Sequence, residues 1–196
     1  DLTLNSTLSS TGNSIVMDGI QAQTISGSST SQLNNVTINN TNGLTLDKNQ
    51  TIDGTLTLTN GLITTGSNVL TLTCNASTSG QSSSSYINGK LAREYCSAAS
   101  KIYPIGKGGV YRPLTLEYTT LSGGSSTVLA EQFESEIAGT IPTNTSYQTV
   151  RYWNLAETIG DGNGNYTLTL NGSPFTPAAT AKILRGNGTS NSLIAA

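Results

Sequence analysis

Histidine is absent from this sequence. That removes Ser-His-Asp and Cys-His nucleophile systems and the usual zinc sites at the outset. The remaining groups that could do chemistry are few. Glu131, Glu134 and Glu136 offer carboxylates, and glycoside hydrolysis needs two of them at a fixed separation across a cleft. All three fall in one polar segment, which reads as a solvated face. Gly106-Lys-Gly-Gly109 is glycine-rich with a lysine but lacks the G-x-x-x-x-G-K-[ST] spacing that cradles phosphates, so it reads as a turn between strands. Asp161, Asn163 and Asn165 place oxygen-bearing side chains at alternate positions, the opening rhythm of a calcium loop. The glycine required at the sixth position is Tyr166 and the glutamate required at the twelfth is Gly172, so a Gly/Asn hairpin loop is the better reading. Residues 1–72 carry only Asp1, Asp18, Asp47, Lys48 and Asp53, too sparse for the catalytic groove of a polysaccharide lyase. The expectation is a protein that is not an enzyme and has no cofactor.

Binding chemistry has one candidate. Five of the 9 Lys and Arg residues lie between Lys90 and Arg112, and Tyr86, Tyr95, Tyr103 and Tyr111 interleave with them. Lys90, Arg93, Tyr103, Lys107, Tyr111 and Arg112 together could bind an acidic surface polysaccharide by charge and ring stacking. The competing reading is internal packing, with Arg and Lys stems covering tyrosine rings, and it is the stronger of the two. A formal net charge of -2 excludes a general phosphate-binding surface, hence no nucleic acid. No apolar run approaches the roughly 20 residues that cross a bilayer, hence no membrane insertion. Cys74 and Cys96 suggest one disulfide formed in an oxidising compartment, against the alternative of two unpaired thiols. Asn-x-Ser/Thr matches are numerous, as chance alone produces in a chain with 19 Asn, 25 Ser and 31 Thr.

The elements that would position these groups are all strands. Ser, Thr, Asn and Gly at this abundance raise the question of disorder, but Thr, Val, Ile and Leu alternate regularly and net charge is low. Ile15-Val16-Met17, Val36-Thr37-Ile38 and Leu56-Thr57-Leu58 recur at about 20 residues. Asn42-Gly43-Leu44 returns as Asn60-Gly61-Leu62. Short strands at that period suit a β-solenoid, with inward aliphatics stacked in ladders at about 4.8 Å and Asn at the corners. The spacing predicts β-solenoid-like repeats over 1–76, a Ser/Gly-rich linker or loop over 77–88, and an antiparallel β-sandwich module over 89–196. In that module longer alternating strands such as Arg112–Tyr118, Thr149–Leu155 and Tyr166–Leu170 are separated by turn residues. Trp153, the single Trp, reads as a core anchor.

Gly89-Lys-Leu-Ala-Arg93, Tyr103-Pro-Ile-Gly-Lys-Gly-Gly109, Tyr111-Arg-Pro-Leu114, Ala130-Glu-Gln-Phe133 and Arg151-Tyr-Trp-Asn-Leu155, taken in that order, carry a resemblance. The segment resembles a module recurring in large secreted surface proteins of Bacteroidota, including adhesin-like cargo of the type IX secretion system. Gly54-Thr-Leu-Thr-Leu-Thr-Asn-Gly-Leu-Ile-Thr-Thr-Gly66 is similar to the repeat text that leads into it. The resemblance spans roughly residues 50–186 and implies export, surface exposure and a structural or adhesive role, with no catalytic residues. The cysteine pair is not a feature of that module. The resulting expectation is an extracellular structural protein, a subunit or repeat module of a surface filament or adhesin, self-associating through exposed β-edges. Leu2 and Leu4 at one extreme, and Leu193 and Ile194 at the other, are the candidate assembly segments. A monomeric glycan- or surface-binding adhesin module is the alternative.

Overall fold

A computed structural model describes residues 1–8, 12–138, 140, 151–159, 164–171, 183–186 and 191–194. Among them every regular element is a strand. The first coil holds β1 (Leu2–Thr3) and β2 (Ser14–Met17). The next two contain β3 (Gln23–Ser26), β4 (Gln32–Leu33) and β5 (Asn35–Asn39), then β6 (Leu44–Leu46), β7 (Gln50–Ile52) and β8 (Thr55–Asn60). The long β9 (Ile63–Leu72) covers two sides of its coil before β10 (Ser77–Ser79), and β11 (Ile87–Tyr95) does the same one coil on.

Parallel pairing stacks these strands into three faces of a β-solenoid of about five turns. On the first face Leu2 lies over Ile25 and Ile25 over Leu46, while Leu44 begins a column through Ile63, Ile87 and Ile105. The steps are 23, 21, 19, 24 and 18 residues, so the 20-residue period of the sequence is a coil length that corner insertions adjust. The second face stacks Leu33, Ile52 and Leu72, and the third stacks Met17, Ile38 and Leu58 beside Ile15, Val36 and Leu56. Strand alternation sends these aliphatics inward and Thr24, Thr45 and Thr64, or Thr37 and Thr57, outward. Leu33, Ile38, Leu56, Leu58 and Leu72 are fully buried. Each contributes about 1.5–3 kcal/mol by leaving water.

Asparagine makes the corners because its amide can satisfy backbone groups that no strand pairs. Asn40 is buried and donates to the Gln21 carbonyl at 2.6 Å, and its own carbonyl oxygen accepts the Asn42 amide. Asn35, one coil before Thr55, accepts the Thr55 amide, Asn49 accepts that of Val69, and Asn60 donates to Asn39 at 2.8 Å along the stack. Gly61 occupies its corner at φ 86°, where a Cβ would sit 1.8 Å from the Asn40 carbonyl oxygen. Only glycine fits so close a passage of backbone over backbone.

The Ser-rich stretch 77–88, expected as a linker or loop, is a further piece of the stack. Ser77–Ser79 pairs with Thr55–Thr57 in parallel, Ser82 and Ser85 bridge, and buried Ser85 donates to the Gly61 carbonyl at 3.0 Å. Serine serves here as a small residue whose hydroxyl bonds the coil beneath, and composition alone could not separate that use from a flexible one. Parallel stacking therefore continues beyond residue 76, to Ile105 and Gly106.

Antiparallel structure begins on β11 itself. Its residues 91–95 pair with β16 (Ser126–Phe133), which pairs in turn with β17 (Tyr152–Ile159). A second sheet joins β12 (Ser100–Tyr103), β15 (Leu114–Leu121) and β18 (Gly164–Leu170). Between them β13 (Ile105–Lys107) and β14 (Val110–Tyr111) form a hairpin on the last coil. The sheets meet through Leu114, Leu116 and Tyr118, all buried, with Tyr95 donating to the Leu116 carbonyl and Tyr103 to that of Val128. Trp153 packs against the core and its indole N–H donates to the Arg112 carbonyl at 3.1 Å, an inward anchor as expected. A separate hairpin pairs β19 (Ile183–Gly186) with β20 (Asn191–Ile194).

Leu58→Ala is expected to lower unfolding free energy by about 2–5 kcal/mol, since the rungs on either side cannot close over the gap. Gly61→Ala should also destabilise, whereas exposed Thr59→Ala stays within about 0.5 kcal/mol. Urea unfolding followed by circular dichroism reads all three; equal losses would refute the assigned inward and outward faces.

Candidate functional site

The basic and tyrosine-rich segment divides into an interior set and a rim. Arg93 is 3% exposed and occupies the column that holds Leu33, Ile52 and Leu72 in earlier coils. Its guanidinium donates to the Ala76 carbonyl at 2.8 Å and to the Ile102 carbonyl. Burial lowers its pKa from the ordinary arginine value. Tyr103 is fully buried. Arg112 is 4% exposed and paired with Glu134 through its Nε, with a second contact of 3.3 Å from Nη2 to Oε2. These three side chains face the interior and offer nothing to a saccharide. For them the packing reading holds.

Lys90, Lys107 and Tyr111 lie nearer solvent, already engaged. The Lys90 ammonium donates to the Ser67 carbonyl at 3.2 Å. Lys107 pairs with Glu131 at 3.4 Å and sits 5.7 Å above the Phe133 ring, whose other face stacks on Tyr152. Tyr111 packs on buried Tyr86 with ring centroids 5.6 Å apart. Three of the six candidates are thus interior and three lie nearer solvent.

The glutamates refine the sequence reading. Glu131 is half-buried and pairs with Lys107, while Glu134 stays exposed as it pairs with Arg112. Burial raises the Glu134 carboxyl pKa, but hydrogen bonds from Arg112 and Gln132 outweigh it and hold the group below its ordinary value. Glu136 is exposed. The signal was present as a matched order, Lys107 then Arg112 against Glu131 then Glu134, but only the pairing of both β13 and β16 with β11 brings the two segments close enough to make it readable. Of the calcium-loop candidates, Asp161 and Asn163 lie outside the described residues. Asn165 uses its backbone, with its N–H donating to the Thr120 hydroxyl and its carbonyl accepting from Thr119. Gly106-Lys-Gly-Gly109 is the turn of the β13–β14 hairpin, as expected.

Cys74 and Cys96 form a disulfide across 5.7 Å between Cα atoms, joining two successive coils. Lys101 lies against it. Its ammonium donates to the Cys74 carbonyl at 2.8 Å and the Glu94 carbonyl at 2.7 Å, 5.2 Å above the Tyr95 ring.

The two ends of the solenoid differ. At the far end β13 and β16 continue the stack from β11, while β10 ends the third face paired with β8 alone among the described residues. At the near end β1 and β2 each pair on one side only among the described residues. The inward residues there, Leu2 and Ile15, are only half-buried, whereas their successors Ile25 and Val36 are 2% and 1% exposed. Val16 is 53% and Ile20 86% exposed on the same coil. Of the assembly candidates, Leu2 lies on this open edge. Leu4 is buried, its N–H donating to the Ser26 carbonyl. Leu193 and Ile194 are strand residues of β20, paired with Leu184 and Ile183.

Stability should peak near pH 10. Burial holds Lys101 down at about 8, so the folded chain binds fewer protons than the unfolded chain between there and 10.5, and stability rises with pH across that window. Burial pushes Tyr95 up to about 12 and Tyr103 up as well, so stability falls as pH rises above 10. Urea midpoints at pH 7.5, 10 and 11.5 measure both limbs, and Lys101→Met should flatten the first while leaving the second. No family model, curated protein or solved structure matches the chain, and the geometry above carries the functional reading by itself.

Proposed function

We propose that this chain is an extracellular structural protein, a subunit or repeat module of a bacterial surface fibre or adhesin, which associates with a second copy of itself through exposed β-edges. The stacked solenoid carries this reading. Among the described residues β1 and β2 pair on one side only, Leu2 and Ile15 are half-buried while Met17 and Leu4 are covered, and Val16 and Ile20 are exposed beside them. Unpaired strand edges template the addition of further strands. The charges that usually discourage such contact are scarce: residues 1–47 contain three Asp and no Lys or Arg. The far end continues from β11 into β13 and β16, which gives the contact a direction, and a heterologous contact that does not close extends into a filament. The Cys74–Cys96 bond fits an oxidising, extracellular setting. The sequence resemblance to Bacteroidota surface proteins agrees with export. A glycan-binding role has less support, because Arg93, Tyr103 and Arg112 are spent on the interior.

Sedimentation velocity and electron microscopy of the purified oxidised chain test the proposal. Concentration-dependent association into elongated particles is expected. Val16→Lys, which charges the open edge without touching the core, should weaken association by at least about tenfold, ~1.4 kcal/mol, at an unchanged thermal midpoint. A wild-type chain that stays monomeric at high concentration overturns the reading.

A further inference from the structure

We infer that the disulfide Cys74–Cys96, together with Arg93 and Lys101, is a tension lock that stops the solenoid from unspooling into the antiparallel region. The inference rests on the reading of the chain as part of a surface fibre, where force runs along its length. Solenoid strands lie across the stacking axis, and each coil touches only the coils before and after it. A pull on the N-terminal side therefore opens the backbone bonds of one rung at a time, and among the described residues β1 and β2 are the first, each paired on one side only. No covalent link holds any earlier coil, since the two cysteines are the sole pair in the chain.

The peel meets a different kind of contact at residue 74. The disulfide ties the corner after β9 directly to the end of β11, across a sequence separation of 22. Two cations from the far side grip the same corner. Lys101 holds the Cys74 and Glu94 carbonyls, and Arg93 holds those of Ala76 and Ile102. The corner 74–76 is thereby bound to three successive parts of the antiparallel region, the end of β11, the turn after it and β12. Strand β11 is also where the two architectures share backbone, parallel to β9 on one side and antiparallel to β16 on the other. Force arriving at Cys74 crosses to Cys96 through the bond, so the coil 75–95 is spared extension while Arg93 keeps that coil anchored to Ile102 of β12. Arg93 explains itself in these terms: a leucine would fill the column that Leu33, Ile52 and Leu72 begin, but only a long donor reaches both carbonyls.

Optical-tweezers extension of the full chain, tethered at its two ends, tests the lock. For the oxidised chain we expect a series of coil-sized releases, each about 70 Å for roughly 20 residues at ~3.4 Å apiece, and then a pause at higher force once residues 1–73 are free. Dithiothreitol added to the same folded molecule should let the peel run past residue 74 without that pause. Lys101→Met with the disulfide intact should lower the force of the pause and leave the earlier steps unchanged. Opening of the antiparallel region before the coils, a single rip of the whole chain, or an unaltered pause after reduction each overturns the lock. Those outcomes leave self-association standing, and a chain that sediments as a monomer yet pauses keeps the lock while discarding self-association.

Discussion

Every coil of this protein buries its inward aliphatics only because another coil lies on it. A single rung of three short strands has too few residues to close a core, and its backbone pairs with nothing inside its own coil. Stacking supplies both at once: hydrogen bonds between rungs and a column of Leu, Ile and Val down each face. The burial gradient at the near end displays this dependence. Leu2 and Ile15 are half-covered with one neighbour, while Ile25 and Val36 with two are essentially sealed.

The rest of the architecture follows from how each face of that stack begins and ends. On the second face the column passes from Leu72 to Arg93, whose guanidinium bonds two backbone carbonyls, and the next partner in register, buried Val128, comes from an antiparallel strand. With the aliphatic rhythm interrupted, β11 finds β16 on its free side and the chain turns antiparallel. The tyrosines then do what the solenoid's leucines did. Tyr95, Tyr103 and Tyr118 fill the space between the two sheets, each with its hydroxyl satisfied by a carbonyl or by Ser126. Their depth, with the ion pairs of Lys107 and Arg112, accounts for a charged segment that reads like a binding surface and behaves as a core.

Polarity on the outside has a matching logic. Outward Thr and Ser sit in register from coil to coil and bond one another, as Thr55 does Ser77 and Thr57 does Ser79. A surface built this way needs little charge to remain hydrated, and it keeps a flat profile along the stack. It also leaves the open edges without the lysines that protect most exposed strands.

Periodicity in the sequence was enough to give the all-β class, the solenoid, its inward columns and the antiparallel strands after it. Those features depend on local alternation and on a repeat close to 20 residues, both visible in one dimension. The cysteine pair was legible for a similar reason, two cysteines in a chain of this composition leaving one possible bond. What the sequence could not decide was the fate of residues whose role depends on what lies across from them. Ser77–Ser85 looks like a linker until the coil beneath offers Gly61 and Thr55 as partners. Glu131 and Glu134 look solvated, and Lys107 and Arg112 open to a ligand or to packing, until β13 and β16 both pair with β11. Arg93 is open to the same two readings until register puts it in the place of a leucine. In each case composition fixes the chemistry a side chain offers, and only long-range pairing decides whether water or protein receives it.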